Sequence, residues 1–150
     1  MDSRRIQADP FPAVLDQEMG DVLEARRNGP RVLVVDDEPQ VVWVLQFSLE
    51  SEGYETFTAK NGVEALDQIA AHHPQLMVLD VMMPQMDGWT VLERLLELPR
   101  DERPRVVMVT ALASLRDRAK AAELGADAYV PKPFDVDELL DVLHGLERAS

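Results

Sequence analysis

The sequence predicts an α/β fold built on a parallel five-stranded sheet. Two observations carry this. Three runs, Val32-Leu33-Val34-Val35, Leu76-Met77-Val78-Leu79 and Val106-Val107-Met108-Val109, are apolar at every position, which suits strands buried on both faces. Between and after them, apolar residues recur at helical spacing. Two shorter segments, Tyr54–Thr58 and Asp127–Val130, complete the set of strands. Strand–helix alternation repeated five times implies right-handed βαβ crossovers.

Taken in order, residues 1–30 stand apart. Pro10, Pro12 and Asn28-Gly29-Pro30 break the chain, and between them Leu15, Met19, Val22 and Leu23 follow a helical spacing with acids interleaved. This predicts a short amphipathic helix in an N-terminal extension. A single domain is expected over 31–148. Its first helix shows a core stripe of Val41, Val44, Leu45 and Leu49, stopped by Gly53. Val63, Leu66, Ile69 and Ala70 mark the second, ended before Pro74. Val91, Leu92, Leu95 and Leu96 mark the third. The fourth runs from Leu115 to Leu124, with Ser114 as its N-cap and Gly125 as its stop. The last begins at Asp135 and carries Val136, Leu139, Leu140 and Leu143.

A chain of 150 residues suits one domain. It has no cysteine, so disulfides and cysteine-based metal sites are excluded, and a cytoplasmic location is the default expectation. No apolar run at the start serves as a signal peptide or a membrane span. The net charge of -13 repels phosphate backbones and anionic lipid. Direct nucleic-acid or membrane binding is therefore not expected.

In parallel sheets of this kind, ligands bind beyond the carboxyl ends of the strands. Asp36 and Asp37 follow the first strand, Asp80 the third, Thr110 the fourth and Lys132 the fifth. Three carboxylates brought together disfavour one another's ionised forms. A hard divalent ion such as magnesium relieves this, and it favours carboxylate oxygens and phosphate. A carboxylate can also act as a nucleophile and form an acyl phosphate. Lys132 and Thr110 supply a cation and a hydroxyl for phosphoryl oxygens.

In its motifs the sequence resembles the receiver domains of bacterial two-component response regulators. The acidic pair stands in Asp36-Asp37-Glu38-Pro39, the phosphorylation segment in Asp80-Val-Met-Met-Pro84-Gln-Met-Asp87-Gly88, the switch threonine in Thr110-Ala111, and the switch aromatic and lysine–proline segment in Tyr129-Val-Pro-Lys132-Pro133-Phe134. The resemblance covers about residues 31–148. It implies a flavodoxin-like (βα)5 doubly wound sheet of order 2-1-3-4-5 and a cis Lys132–Pro133 bond. It implies Asp80 as phosphoryl acceptor, with Mg2+ held by Asp36, Asp37, Asp80 and the backbone carbonyl of Met82. Lys132 and Thr110 would bind phosphoryl oxygens, and Thr110 and Tyr129 would move as the switch. The implied partners are a histidine kinase or histidine phosphotransfer protein and a downstream protein target, with phosphorylation-dependent homodimers an open question. Ending soon after the fifth helix, the chain is expected to be a stand-alone receiver without an output domain, or a fragment of something longer.

Two other function classes remain beside this one. A haloacid dehalogenase-type phosphatase also forms an aspartyl phosphate, but it places a second Asp two residues on, where this chain has Met82. A phosphorylation-independent docking module would keep the fold without the chemistry. A nucleotide site fails because neither G-x-G-x-x-G nor a P-loop follows the first strand. Two departures from the family pattern stand out. Met82 and Leu112 occupy positions whose side chains can orient a hydrolytic water in this family, and both are apolar, so slow self-dephosphorylation is expected. Trp43 and Phe47 lie off the core stripe of the first helix, which suggests either a partner's docking patch or cover by the N-terminal helix. His72 and His73 suit a helix end, and His144 is expected to face solvent.

Overall fold

The computed structural model describes residues 29–148. The candidate helix at Leu15, Met19, Val22 and Leu23 lies outside them. The described chain runs β1 (Arg31–Val35), α1 (Pro39–Ser51), β2 (Glu55–Ala59), α2 (Gly62–His72), β3 (Leu76–Leu79) and α3 (Gly88–Leu95). A 3-10 turn (Arg100–Glu102) then leads to β4 (Arg105–Thr110), α4 (Leu115–Glu123), β5 (Ala128–Pro131) and α5 (Val136–Arg148). The strands form one parallel sheet in the order β2-β1-β3-β4-β5. This is the flavodoxin-like arrangement expected.

Successive side chains of a strand point to opposite faces, and the core divides accordingly. Leu33, Val35, Met77 and Leu79 meet Ile69 of α2 and Leu92 of α3 on one face. Val32, Val34 and Val78 meet Leu45 and Leu49 of α1 and Leu139 of α5 on the other. Full burial of each such side chain contributes roughly 1.5–3 kcal/mol. The apolar runs of β1, β3 and β4 thus belong to strands covered on both sides.

The two short strands start one residue later than the pattern indicates, because the preceding residue anchors a loop. Tyr54 is buried; its hydroxyl donates to Glu147 Oε1 on α5 at 3.0 Å. Asp127 accepts a 2.8 Å bond from the Val106 amide, tying the approach to β5 onto β4.

The helix stripes need correction in part. On α1, Leu45 and Leu49 are buried, but Val42 packs inward and Val44 is exposed. One residue step turns a helix by about 100°, which carries Val44 off the face centred on Leu45 and Leu49. On α2, Ala65 and Ile69 are buried while Val63 and Ala70 are exposed. Leu96 falls just beyond α3 and is exposed. α4 begins as expected, with Ser114 Oγ accepting from the Asp117 amide at 3.0 Å. His144 does not face solvent freely. It stacks on Tyr54 at 5.8 Å and lies 3.5 Å from Glu52.

Candidate phosphoryl-acceptor site

The strand order reverses between β2 and β3, so the topological switch point lies at the carboxyl ends of β1 and β3. The register pairs Val35 with Leu79, which leaves Asp36 and Asp80 side by side. Pairing continues to the acids themselves: the Asp80 amide donates to the Val35 carbonyl at 3.0 Å, and the Asp36 amide to Ala59 at 3.1 Å. On the other flank Thr110 pairs with Pro131. The Lys132 amide donates to the Thr110 carbonyl at 2.8 Å, placing Lys132 just past β5. The Lys132–Pro133 bond is cis.

Lys132 is the centre of this rim. Its Nζ donates to Asp36 Oδ2 at 2.7 Å, to Glu38 Oε1 at 3.0 Å and to Asp80 Oδ2 at 3.1 Å. Asp36 and Asp80 are buried, as is Thr110, which is fully enclosed. Buried carboxylates are costly unless paired, and one ammonium serves both. Burial pushes the Asp36 carboxyl above its usual range, although the Lys132 hydrogen bond opposes this. Burial alone would lower Lys132. Its hydrogen bonds to Asp36 and Glu38 outweigh that, so the ammonium is held above its ordinary value.

The loop after β3 closes over Asp80. The Met82 amide points at Asp80 Oδ1 from 3.4 Å, while the Met82 side chain is exposed. The Gly88 amide donates to Val81 O at 2.8 Å. A Cβ on Gly88 would lie 2.3 Å from the Asp80 carbonyl oxygen, so only glycine allows this approach. Asp87 then caps α3, accepting from the Thr90 amide at 2.9 Å. An open cleft of about 510 Å³ lies alongside, lined by Asp37, Met82, Met83, Asp87, Trp89 and Leu112 among others.

Asp36, Glu38 and Asp80 each offer an oxygen within 4.8 Å of the others. Hard carboxylate oxygens at such spacing fit the donor preferences of magnesium. Asp37, expected among the metal ligands, is exposed and lies outside that group, on the cleft with Met82. Glu38 was not singled out from the sequence as a site residue, yet it reaches Lys132. No local spacing signals that contact, since Lys132 lies 94 residues on; in the structure Glu38 stands at the N-cap of α1. Its side chain makes no capping bond, because the carboxylate turns to the ammonium instead.

Tyr129 is half-buried, and its hydroxyl donates to the Leu112 carbonyl. Burial raises its pKa, with the charge of Asp117 adding to the effect. The Arg118 guanidinium of α4 lies 4.8 Å from the ring centroid. Lys120 sits 4.5 Å over the Trp89 ring. These cation–π contacts tie α4 to β5 and to the start of α3. Neither has a sequence signal, since each joins separate elements.

The family model for the response regulator receiver domain matches residues 32–144. The chain belongs to that family. It is 45% identical over 120 residues to the response regulator MprA of Mycobacterium avium, covering 80% of this chain and 52% of that protein. It is 38% identical over 124 residues to RpaA of Synechocystis, described as a DNA-binding dual master transcriptional regulator, covering 81% of this chain and 50% of that protein. The chain therefore spans about half the length of the curated relatives it matches. Among solved structures, the Francisella response regulator 1452 receiver domain superposes with a TM-score of 0.75 at 32% identity, covering 81% of this chain and all of that one. Among the described residues, no helix is long and apolar enough to cross a membrane.

Proposed function

We propose that this domain accepts a phosphoryl group on Asp80 and acts as a conformational switch in phosphorelay signalling. The observation that carries the reading is the position of Lys132 Nζ, 2.7 Å from Asp36 and 3.1 Å from Asp80. One cation there sits beside a buried carboxylate whose neighbour on the next strand is another buried carboxylate.

In the proposed reaction an Asp80 oxygen attacks phosphorus as the bond to the donor's imidazole nitrogen breaks. The donor is a histidine kinase or a histidine phosphotransfer protein. Lys132 leaves its carboxylate partners in part and pairs with a phosphoryl oxygen, and the Thr110 hydroxyl hydrogen-bonds another. Asp36, Asp37, Asp80 and the Met82 carbonyl are the proposed holders of magnesium, with Glu38 joining them on the evidence of its position. Bound there, magnesium supplies charge neutralisation for the phosphoryl group. Thr110 and Tyr129 then shift a pre-existing equilibrium, which a downstream protein or a second copy of the domain reads.

The domain is proposed to work in the cytoplasm and to have no activity on a separate substrate beyond its own phosphoryl transfer and slow hydrolysis. Direct contact with nucleic acid is not proposed, given the net charge of -13. RpaA, described as DNA-binding, is about twice the length of the segment matched here.

The test is intact-mass spectrometry after incubation with acetyl phosphate, with and without magnesium, on the wild type and Asp80→Ala. One phosphoryl adduct that needs magnesium and is absent from Asp80→Ala supports the reading. If neither acetyl phosphate nor beryllofluoride, in magnesium, produces an Asp80-dependent adduct or complex, the domain is a docking module instead.

A further inference from the structure

α1 carries little charge on any side. Of its 13 residues, only Glu50 is charged. Leu45 and Leu49 are buried against the sheet, but Trp43 is 66% exposed and Phe47 63%. Their rings stack at 5.7 Å with planes 10° apart, and Val44 is exposed beside them. A large stacked aromatic pair facing water marks a contact surface.

We infer that residues 13–23 of this same chain occupy the face, packing Leu15, Met19 and Val22 onto Trp43 and Phe47. Three observations favour this occupant. Leu15, Met19, Val22 and Leu23 of the segment follow a single helical stripe, with Asp16, Glu18 and Asp21 flanking or opposite it. On the face of the aromatic pair the one charge of α1 is Glu50, three residues after Phe47, at the end of the helix nearest the linker.

The chain also enters the domain at the right end. The Pro30 carbonyl accepts from the Glu55 amide at 3.0 Å, and the Leu49 carbonyl from the Tyr54 amide at 3.1 Å. Pro30 therefore lies by the C-terminal end of α1. Residues 24–28 span at most roughly 17 Å when extended. Phe47 lies about 6 Å along the axis from the last residue of α1, well within that reach. Finally, Glu50, Glu52 and Glu55 cluster at this end, and the linker carries Arg26 and Arg27. Opposite charges there favour the folded-back path. The inference is independent of phosphoryl transfer.

The test uses the full chain with Trp89→Phe, so that Trp43 is the sole tryptophan. Emission wavelength and acrylamide quenching are read across a range of concentrations, with mass from light scattering. The expected result is blue-shifted, poorly quenched emission in a monomer at every concentration. Leu15→Asp with Met19→Asp should shift emission to the red and raise quenching several-fold, while Gln17→Glu on the opposite side changes neither. Hydroxyl-radical footprinting of Trp43 and Phe47 in the unsubstituted chain, with and without the paired substitutions, gives a second reading that spares Trp89. Solvent-like emission in the intact chain, or no response to the paired substitutions, overturns the inference. A blue shift that grows with concentration as the mass doubles assigns the face to a second copy and overturns it equally.

Discussion

Lys132 reaches Asp80 across 52 residues of sequence, with Nζ 3.1 Å from Oδ2. The same nitrogen holds Asp36, so one side chain joins the ends of β1, β3 and β5. Both acids are buried, and the Lys132 side chain is only 14% exposed. Removing it leaves two enclosed carboxylates without a cation. Lys132→Met should therefore lower stability in magnesium-free buffer by about 3–5 kcal/mol, the cost of breaking a buried pair. It should also slow phosphorylation by acetyl phosphate by roughly 100-fold. Urea denaturation and adduct formation over time measure the two effects. Unchanged values would mean that the ammonium is a bystander.

Gly88 sets the distance between the loop and Asp80. A Cβ there would meet the Asp80 carbonyl oxygen at 2.3 Å and the Val81 Cα at 2.9 Å, both rigid backbone atoms. Gly88→Ala should destabilise by about 1–3 kcal/mol or more. Because the clash falls on Asp80 itself, phosphorylation should slow beyond what the lost stability explains. The check is the rate measured well below the melting temperature, where the variant is fully folded.

Met82 and Leu112 line the cleft beside Asp80. Neither side chain offers a hydrogen bond to orient a water for in-line attack. The acyl phosphate should be long-lived in magnesium buffer, and a half-life of seconds contradicts this. Met82→Asn should shorten it by roughly tenfold, the equivalent of about 1.4 kcal/mol from one oriented hydrogen bond. Loss of the adduct by intact mass after removal of the donor gives both numbers.

Tyr54 gives a dependence on pH far from the site. Burial raises its pKa, and the hydrogen bond to Glu147 raises it further. A folded-state pKa above the unfolded value of about 10 means a stabilising contribution that is complete below that pH. It is lost as pH rises, because only the unfolded tyrosine ionises readily. The wild type should exceed Tyr54→Phe by about 1 kcal/mol at pH 8. That margin should shrink between about pH 9.5 and pH 11. A margin constant with pH, from urea denaturation, would contradict the assignment.

Much of this was legible in the chain because parallel sheets write themselves plainly. Val32–Val35, Leu76–Leu79 and Val106–Val109 are buried on both faces, so every position is apolar and the residue after each run marks the rim. Asp36, Asp80 and Thr110 could be placed on one edge from that alone, Lys132 only through the weaker Asp127–Val130 segment, and the structure brings them together. Helix faces were less legible. Val44 and Val63 are as apolar as their buried neighbours, and only the packing angle against the sheet decides that they face outward. Glu38 was hidden for a different reason. Its role depends on where Lys132 lands, 94 residues on, and no local spacing carries that distance. The contacts of Arg118 with Tyr129 and of Lys120 with Trp89 were out of reach for the same reason.

The most direct test of the central claim is to locate the phosphoryl group. The wild type is phosphorylated with acetyl phosphate and magnesium and reduced with borohydride, which converts an acyl phosphate to an alcohol. Peptide sequencing by mass spectrometry then finds the altered residue. The account predicts homoserine at position 80 and nowhere else. Reduction at Asp36, Asp37 or Glu38, with Asp80 intact, would contradict it.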